Sequence, residues 1–287
     1  MRDIHYRIHN LDVNGKIRPI TLYSKYDLTE QKELYRRYSR EFLNNTHKAV
    51  YSFIPGFSNF DAAVLSCYQA NFYRYFIKLD IHEYYPHINR VMASEALHRF
   101  LPQYTAERIC RYAFCCPKGI SEGSPLSPAI SNVYLYNFDD QTDAFPGSFY
   151  IRYCDDILLL MNLNPEPYIQ YIKDALRAHR LSINQDKVSI GCIEEGFNFV
   201  GYYIRPEDIC VLYENVAAIT NKINAAADDR ERSRIANGFR AYYRDARCLP
   251  LCGECIDFLL RYGSTKEKSL FEQKYGIDIL SIARSLR

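Results

Sequence analysis

The stretch that constrains this chain most is Tyr153-Cys154-Asp155-Asp156, set between two apolar runs within Phe149 to Met161. Phe149 to Tyr153 is aromatic and β-branched, and Ile157 to Met161 is apolar again. Both read as short buried strands. Two adjacent carboxylates between them fit the tight turn of a β-hairpin, where a polar pair is tolerated. Folding an apolar hairpin does not call for two aspartates at its tip, because unpaired like charges repel and resist burial. A divalent cation gives them a reason. A solvated Asp-Asp turn is the plainer reading of the fragment taken alone.

Two further features bear on that choice. Arg74-Tyr-Phe-Ile-Lys-Leu-Asp-Ile81 reads as a strand that ends in a carboxylate and continues as His82-Glu-Tyr-Tyr-Pro-His-Ile88. Asp80 is therefore placed either to cap the next segment or to enter a site from a rigid element. Gly119-Ile-Ser-Glu-Gly-Ser-Pro-Leu-Ser-Pro128 is a rigid loop leading into an apolar helix, Ala129 to Phe138. Glycines at a helix start present backbone amides and admit a nucleotide or base pair closely.

Around these the chain alternates helix and loop. Asn14-Gly-Lys-Ile-Arg-Pro-Ile20 reads as a turn and an extended segment, with Lys16 and Arg18 available for anions. Thr29 to Leu43 reads as a helix with Thr29 as N-cap, gathering Arg36, Arg37 and Arg40. Pro55-Gly56 punctuates a loop before a helix from Asn59 to Tyr68. Helices follow over Val91 to Leu101, Thr105 to Phe114 and Tyr168 to His179. Leu181 to Val188 carries Asn184 and Lys187, and Phe197 to Ile204 looks like a hairpin arm. From Val216 onward the chain is helical. Between Arg230 and Arg247 it is strongly basic, with Arg240, Arg244, Tyr242 and Tyr243 interleaved. Each basic helix reads either as a surface that tracks nucleic-acid phosphates or as a solvated face with i,i+4 pairs.

Composition adds bounds. With 48% hydrophobic and 24% charged residues the balance is that of a globular protein, and a net charge of +2 neither demands nor excludes nucleic acid. The 10 cysteines form no regular framework and read as thiols of a reducing compartment. Cys248, Cys252 and Cys255 could supply thiolates to zinc, but no obvious fourth ligand follows closely, so packed free cysteines are the alternative. The opening residues are polar and no apolar run spans a bilayer, so the expectation is a soluble, cytoplasmic protein without a membrane partner.

In this order the features resemble a reverse transcriptase. Asp80 with Tyr84-Tyr85-Pro86 is similar to motif A, Glu122-Gly-Ser-Pro-Leu-Ser-Pro128 to motif B and Tyr153-Cys-Asp-Asp156 to motif C. Asn184-x-x-Lys187 resembles motif D, Phe199-Val-Gly-Tyr202 motif E, and Gly15-Lys-Ile-Arg-Pro-Ile20 the first fingers motif. The tract from Phe53 to Ala62 looks like the second fingers motif. The resemblance covers about residues 14 to 204.

It implies an α+β right-hand polymerase with an antiparallel palm sheet. Residues 1–73 would be the first part of the fingers, 74–114 palm with motif A, 115–204 fingers and palm with motifs B to E, and 205–287 a helical thumb and tail. It further implies RNA-directed DNA polymerisation with two Mg2+ ions, Mn2+ being a possible substitute. Asp80, Asp155 and Asp156 would be the catalytic metal ligands, and Lys16, Arg18, Tyr85, Glu122, Gly123 and Lys187 would meet the nucleotide. Tyr85, five residues after Asp80, would be the steric gate against a 2′-hydroxyl, its bland alternative being core packing. Arg36, Arg37, Arg40, Arg240, Tyr243 and Arg244 would contact nucleic acid. The implied partners are an RNA template, a DNA product and dNTPs, with a protein partner or homo-oligomer open.

Departures narrow the class. Motif B carries Glu122 where most relatives have glutamine, and Ile54 and Phe57 stand where group II intron relatives have arginines. No ribonuclease H segment, His-Asn-His cluster or retron signature is visible. What remains resembles the compact bacterial enzymes of abortive-infection and defence systems, which would make the template a dedicated noncoding RNA. A catalytically silent RNA-binding scaffold and a protein-primed or untemplated DNA polymerase are the alternatives.

Overall fold

Burial along the chain follows the alternation of its strands and helices. The computed structural model describes residues 3–13, 16–279 and 281–282. The turn expected at Asn14-Gly15 and the side chain of Lys16 lie outside the described residues. The chain opens with β1 (Tyr6–Val13), β2 (Lys16–Tyr23), α1 (Lys25–Asn44), α2 (Asn59–Ala70) and β3 (Tyr75–Asp80). Then come α3 (Tyr84–His87), α4 (Arg90–His98), α5 (Gln103–Ala113), α6 (Ser127–Tyr134) and α7 (Tyr136–Asp143). The hairpin β4 (Ser148–Tyr153) and β5 (Asp156–Met161) precedes α8 (Glu166–Ala178) and β6 (Ser189–Cys192). A meander of β7 (Phe197–Phe199), β8 (Tyr202–Arg205) and β9 (Asp208–Val211) leads into α9 (Tyr213–Ala225), α10 (Asp229–Tyr243), α11 (Gly253–Tyr262) and α12 (Thr265–Tyr275).

These elements form two compact units, Met1–Ser58 with Tyr73–Gly191 and Asn59–Phe72 with Cys192–Arg287. Helix α2, expected to belong with the rest of the first 73 residues, thus packs in the second unit, on β8 and β9.

The first unit is built on a sheet of order β4-β5-β3-β6, in which β5 pairs antiparallel with both β4 and β3. Ile157 to Met161 are all buried, as befits a central strand covered on both faces. Beside them Ile77, Leu79, Leu97, Ile109, Ile130 and Phe138 complete the core. Burying apolar surface of this kind contributes about 25 cal/mol per Å2 to stability. One core side chain breaks the pattern: Arg152, next to the last residue of β4, is fully buried. Asp139 of α7 accepts from its Nε and Nη2, both at 2.7 Å, and the Tyr150 hydroxyl donates to the same carboxylate at 2.6 Å. A buried guanidinium is tolerable only when paired in this way.

Two helix limits differ from expectation. Helix α1 starts at Lys25, because Ser24 supplies the cap and accepts from the Asp27 amide. Thr29 lies inside the helix, its hydroxyl donating to the Lys25 carbonyl at 2.8 Å. The helix expected from Ala129 to Phe138 is two, α6 and α7, which part at Leu135, where ψ reaches 10°.

In the second unit the segment expected as one hairpin arm contains the turn itself. Val200 and Gly201 join β7 to β8 with φ of +44° and +93°, the positive pair that a two-residue hairpin turn takes. Tyr202 stacks on Tyr242 of α10, with ring centroids 5.3 Å apart, and donates to its carbonyl at 2.6 Å. Cys248 and Cys255 are buried thiols, and Cys252 is half-buried. No described helix is long and apolar enough to cross a membrane.

Candidate active site

The register of the central sheet assembles the site. Asp80, the last residue of β3, stands opposite Asp156, the first residue of β5, and Tyr153 of β4 faces Asp156 from the other side. Cross-strand partners share a face of the sheet, so Asp80 and Asp156 lie on the same side. The turn between β4 and β5 is only Cys154-Asp155, with Cys154 at φ +58°. Both aspartates were expected at the tip. The structure puts Asp155 there and Asp156 on the strand, because pairing continues through Tyr153 and Asp156.

The turn is held from three directions. The Cys154 amide donates to Ser52 Oγ at 2.8 Å, and Arg152 Nη1 donates to the Cys154 carbonyl at 3.0 Å. The Ile81 amide donates to the Asp155 carbonyl at 3.0 Å, which ties the exit of β3 to the turn. The Asp80 carbonyl in turn accepts from the Asn184 amide at 2.7 Å, and Asn184 caps the short helical turn Gln185–Lys187. That turn delivers Lys187, whose Nζ lies 2.8 Å from Asp80 Oδ2. Asp80 itself is buried, at 6% exposure.

The charges act on one another. Burial, then the neighbouring Asp155, pushes Asp156 up to about 6, while Lys78 and Lys187 act to lower it. Burial also raises Asp155, with the charge of Asp80 adding to it and Lys187 opposing it. Lys187 is raised by its bond to Asp80 and by all three aspartates. Lys78 was missed in the sequence. The signal that finds it is the period of two in β3, which sets Lys78 on the face of Asp80.

The loop from Gly119 to Pro128 passes close to both α3 and β2. Gly119 has φ +54°, and a Cβ there would lie 2.0 Å from the Tyr85 carbonyl, which accepts from the Ile120 amide at 3.0 Å. Gly123 has φ +107°, and a Cβ would lie 2.4 Å from the Thr21 carbonyl. The Thr21 amide donates to the Glu122 carbonyl at 2.6 Å. Tyr85 is half-buried, and its phenol is raised by burial first, then by Cys154, Asp155 and Glu122. Arg18 is exposed on β2, opposite Leu11.

Of the residues assigned to nucleic acid, Arg36, Arg37 and Arg40 lie along α1, and all three are exposed. The acids of that helix are mostly turned away: Asp27 is buried, Glu30 pairs with Arg108, and Glu41 has a buried carboxylate oxygen. The second cluster, Arg240, Tyr243 and Arg244, is engaged within the protein. Arg240 donates to Glu267 through Nε at 3.0 Å and Nη2 at 2.6 Å, and buried Tyr243 donates to the same carboxylate. Arg244 pairs with Asp61 at 3.3 Å. These partners are far away in the chain, so i,i+4 spacing could not reveal them, and the aromatic face of α10 packs inward.

The donor set suits a hard cation. Among the described residues no three His, Cys, Asp or Glu side chains converge into a ready-made cage, and this covers Cys248, Cys252 and Cys255 as well as the aspartates. Magnesium does not ask for one, since it takes one or two carboxylates and completes its shell with phosphate and water. Two carboxylates whose charge is raised in cost by burial and mutual repulsion fit that pattern.

A family profile described as reverse transcriptase (RNA-dependent DNA polymerase) matches residues 8–204. The chain belongs to the reverse transcriptase family. No curated protein matches it. Among solved structures, apo telomerase from Candida tropicalis is similar at 13% identity and TM-score 0.58, covering 94% of this chain and 57% of that one. Candida tropicalis telomerase in complex with a TWJ fragment of telomeric RNA gives 11% identity and 0.59, covering 98% and 54%. The Sicinivirus 3Dpol RNA-dependent RNA polymerase gives 11% and 0.57, covering 99% and 67%. This reverse transcriptase therefore has the right-hand polymerase fold, and it spans a little over half the length of the telomerase chains it matches.

Proposed function

We propose that this reverse transcriptase is an RNA-directed DNA polymerase that builds cDNA from dNTPs at the site formed by Asp80, Asp155 and Asp156. The observation that supports it best is the register pairing of Asp80 with Asp156 beside the Asp155 turn. Asp80 and Asp155 would hold the ions, and Asp156 would ligate or tune from the strand. When bound, two Mg2+ ions, or Mn2+ in their place, activate the primer 3′-oxygen and neutralise charge on the pyrophosphate.

The surrounding residues position the substrate, since electrostatic placement dominates phosphoryl transfer. Lys187 meets the leaving pyrophosphate, and Lys16 with Arg18 holds the triphosphate. Tyr85 lies under the sugar and excludes a 2′-hydroxyl, while Glu122 and Gly123 frame the base pair. Arg36, Arg37 and Arg40 follow the RNA backbone. Resemblance to compact defence-associated enzymes supports a dedicated noncoding RNA as template in bacterial anti-phage defence, an argument of association rather than chemistry.

The test is radiolabelled dNTP incorporation with Mg2+ by the protein purified with its co-purifying RNA, beside Asp155→Ala. Incorporation by the native protein and none by the variant is expected, and sequencing the product names the template. RNA bound without incorporation by either protein would sink the polymerase in favour of a silent scaffold. Equal copying of arbitrary primed templates would sink the dedicated RNA.

A further inference from the structure

The bond between Lys187 and Asp80 is unequal in its two ends. Asp80 is buried, and Lys187 is its one ion pair among the described residues; the lysine side chain is 59% exposed. A buried carboxylate is costly to leave without a partner, whereas an exposed ammonium can withdraw to water at little cost. The backbone beneath the lysine is fixed independently of this bond. The Asn184 amide donates to the Asp80 carbonyl at 2.7 Å, the His82 amide to the Ser182 carbonyl at 2.8 Å, and Ile81 bridges Ile183. The side chain can therefore leave Asp80 while its anchor stays.

We propose that Lys187 is the resident counter-ion of the carboxylate centre, holding Asp80 in place until a divalent cation displaces it. The inference rests on the reading of Asp80 and Asp155 as metal ligands. A cation that ligates Asp80 sits at about 2.0–2.1 Å from its oxygen, and an ammonium hydrogen-bonded to the same Oδ2 is in its way. Arrival of the cation then frees Lys187 on a short tether, beside the place where pyrophosphate leaves. Metal loading and readiness of the lysine become one event. Lys78 differs: it acts on Asp156 through its charge alone.

The test uses the full-length chain, without nucleotide or RNA, and reads free Mn2+ by electron paramagnetic resonance. Lys187→Met is expected to tighten Mn2+ binding about three- to tenfold, the worth of a charge-assisted hydrogen bond discounted for exposure. Lys78→Met should tighten it less, and Asp155→Asn should weaken it. Unchanged binding in Lys187→Met, or a gain no larger than that of Lys78→Met, overturns the inference while the loss in Asp155→Asn leaves the metal reading standing. Mn2+ binding indifferent to Asp155→Asn overturns both. Should a variant fail to fold, the native protein labelled with 13C at lysine Cε serves instead. The Lys187 resonance is expected to move on addition of Mg2+, and a resonance unmoved at saturation overturns the displacement.

Discussion

Asp80 and Asp156 face each other across the pairing of β3 and β5, where β3 ends and β5 begins. Register alone therefore delivers two carboxylates to one face, and the two-residue turn adds Asp155 beside them. Such a gathering opposes folding in the absence of a cation. It persists because the turn is held by Ser52, Arg152 and Ile81 rather than by the aspartates.

The pH dependence of stability should reveal that opposition. Asp156 is pushed up to about 6 from an ordinary 3.8. A raised carboxylate contributes stability that is complete below the unfolded value and lost as pH rises through the folded one. Metal-free Asp156→Asn is thus expected to be more stable than the native chain by about 1–2 kcal/mol at pH 7.5, the gap closing towards pH 4. Urea denaturation in a chelator across that range measures it, and a gap that does not change with pH would contradict the assignment.

The buried pair under the turn is a second handle. Arg152→Met leaves the buried Asp139 carboxylate without its guanidinium partner, and a loss of about 3–5 kcal/mol is expected. Replacing both residues by apolar ones should recover much of it. Denaturation midpoints of the single and double variants decide, and equal losses in both would mean that packing volume, not charge, is what matters.

Gly123→Ala sets a methyl against the Thr21 carbonyl at a backbone angle that alanine resists. A stability loss of about 1–3 kcal/mol is expected, with nucleotide KM rising more than kcat falls because the loop moves off β2. Steady-state kinetics on a primed template, with a melting curve as control, separates the two effects.

At the gate, Tyr85→Ala is expected to raise the ratio of rNTP to dNTP incorporation by about tenfold to a hundredfold through relief of a clash. Single-nucleotide extension with each sugar measures the ratio. A variant with unchanged selectivity would return Tyr85 to simple core packing.

On α1, changing Arg36, Arg37 and Arg40 together to glutamine should weaken RNA binding at every sequence and lower the salt slope by about two to three. Arg240→Gln, by contrast, should lose stability through Glu267, with no change in the salt slope. Filter binding over a salt series distinguishes them.

Local chemistry was legible in the sequence wherever it depends on neighbours in the chain. The β-branched and aromatic runs around Asp155 and Asp156, the strand ending in Asp80, and the glycines of the loop before α6 all announce themselves by spacing. They were enough to indicate the family and to propose the three aspartates. What spacing cannot carry is a partnership between distant segments. Arg152 with Asp139, Arg240 with Glu267, and Lys187 with Asp80 join residues whose order in the chain says nothing of their distance in space. Those pairs exist because a buried charge must find its counter-charge wherever packing has brought one. The sequence by itself determined which carboxylates are candidates to meet a cation; tertiary structure decided which of them stands on a strand, which on a turn, and which cation of the protein's own keeps Asp80 company.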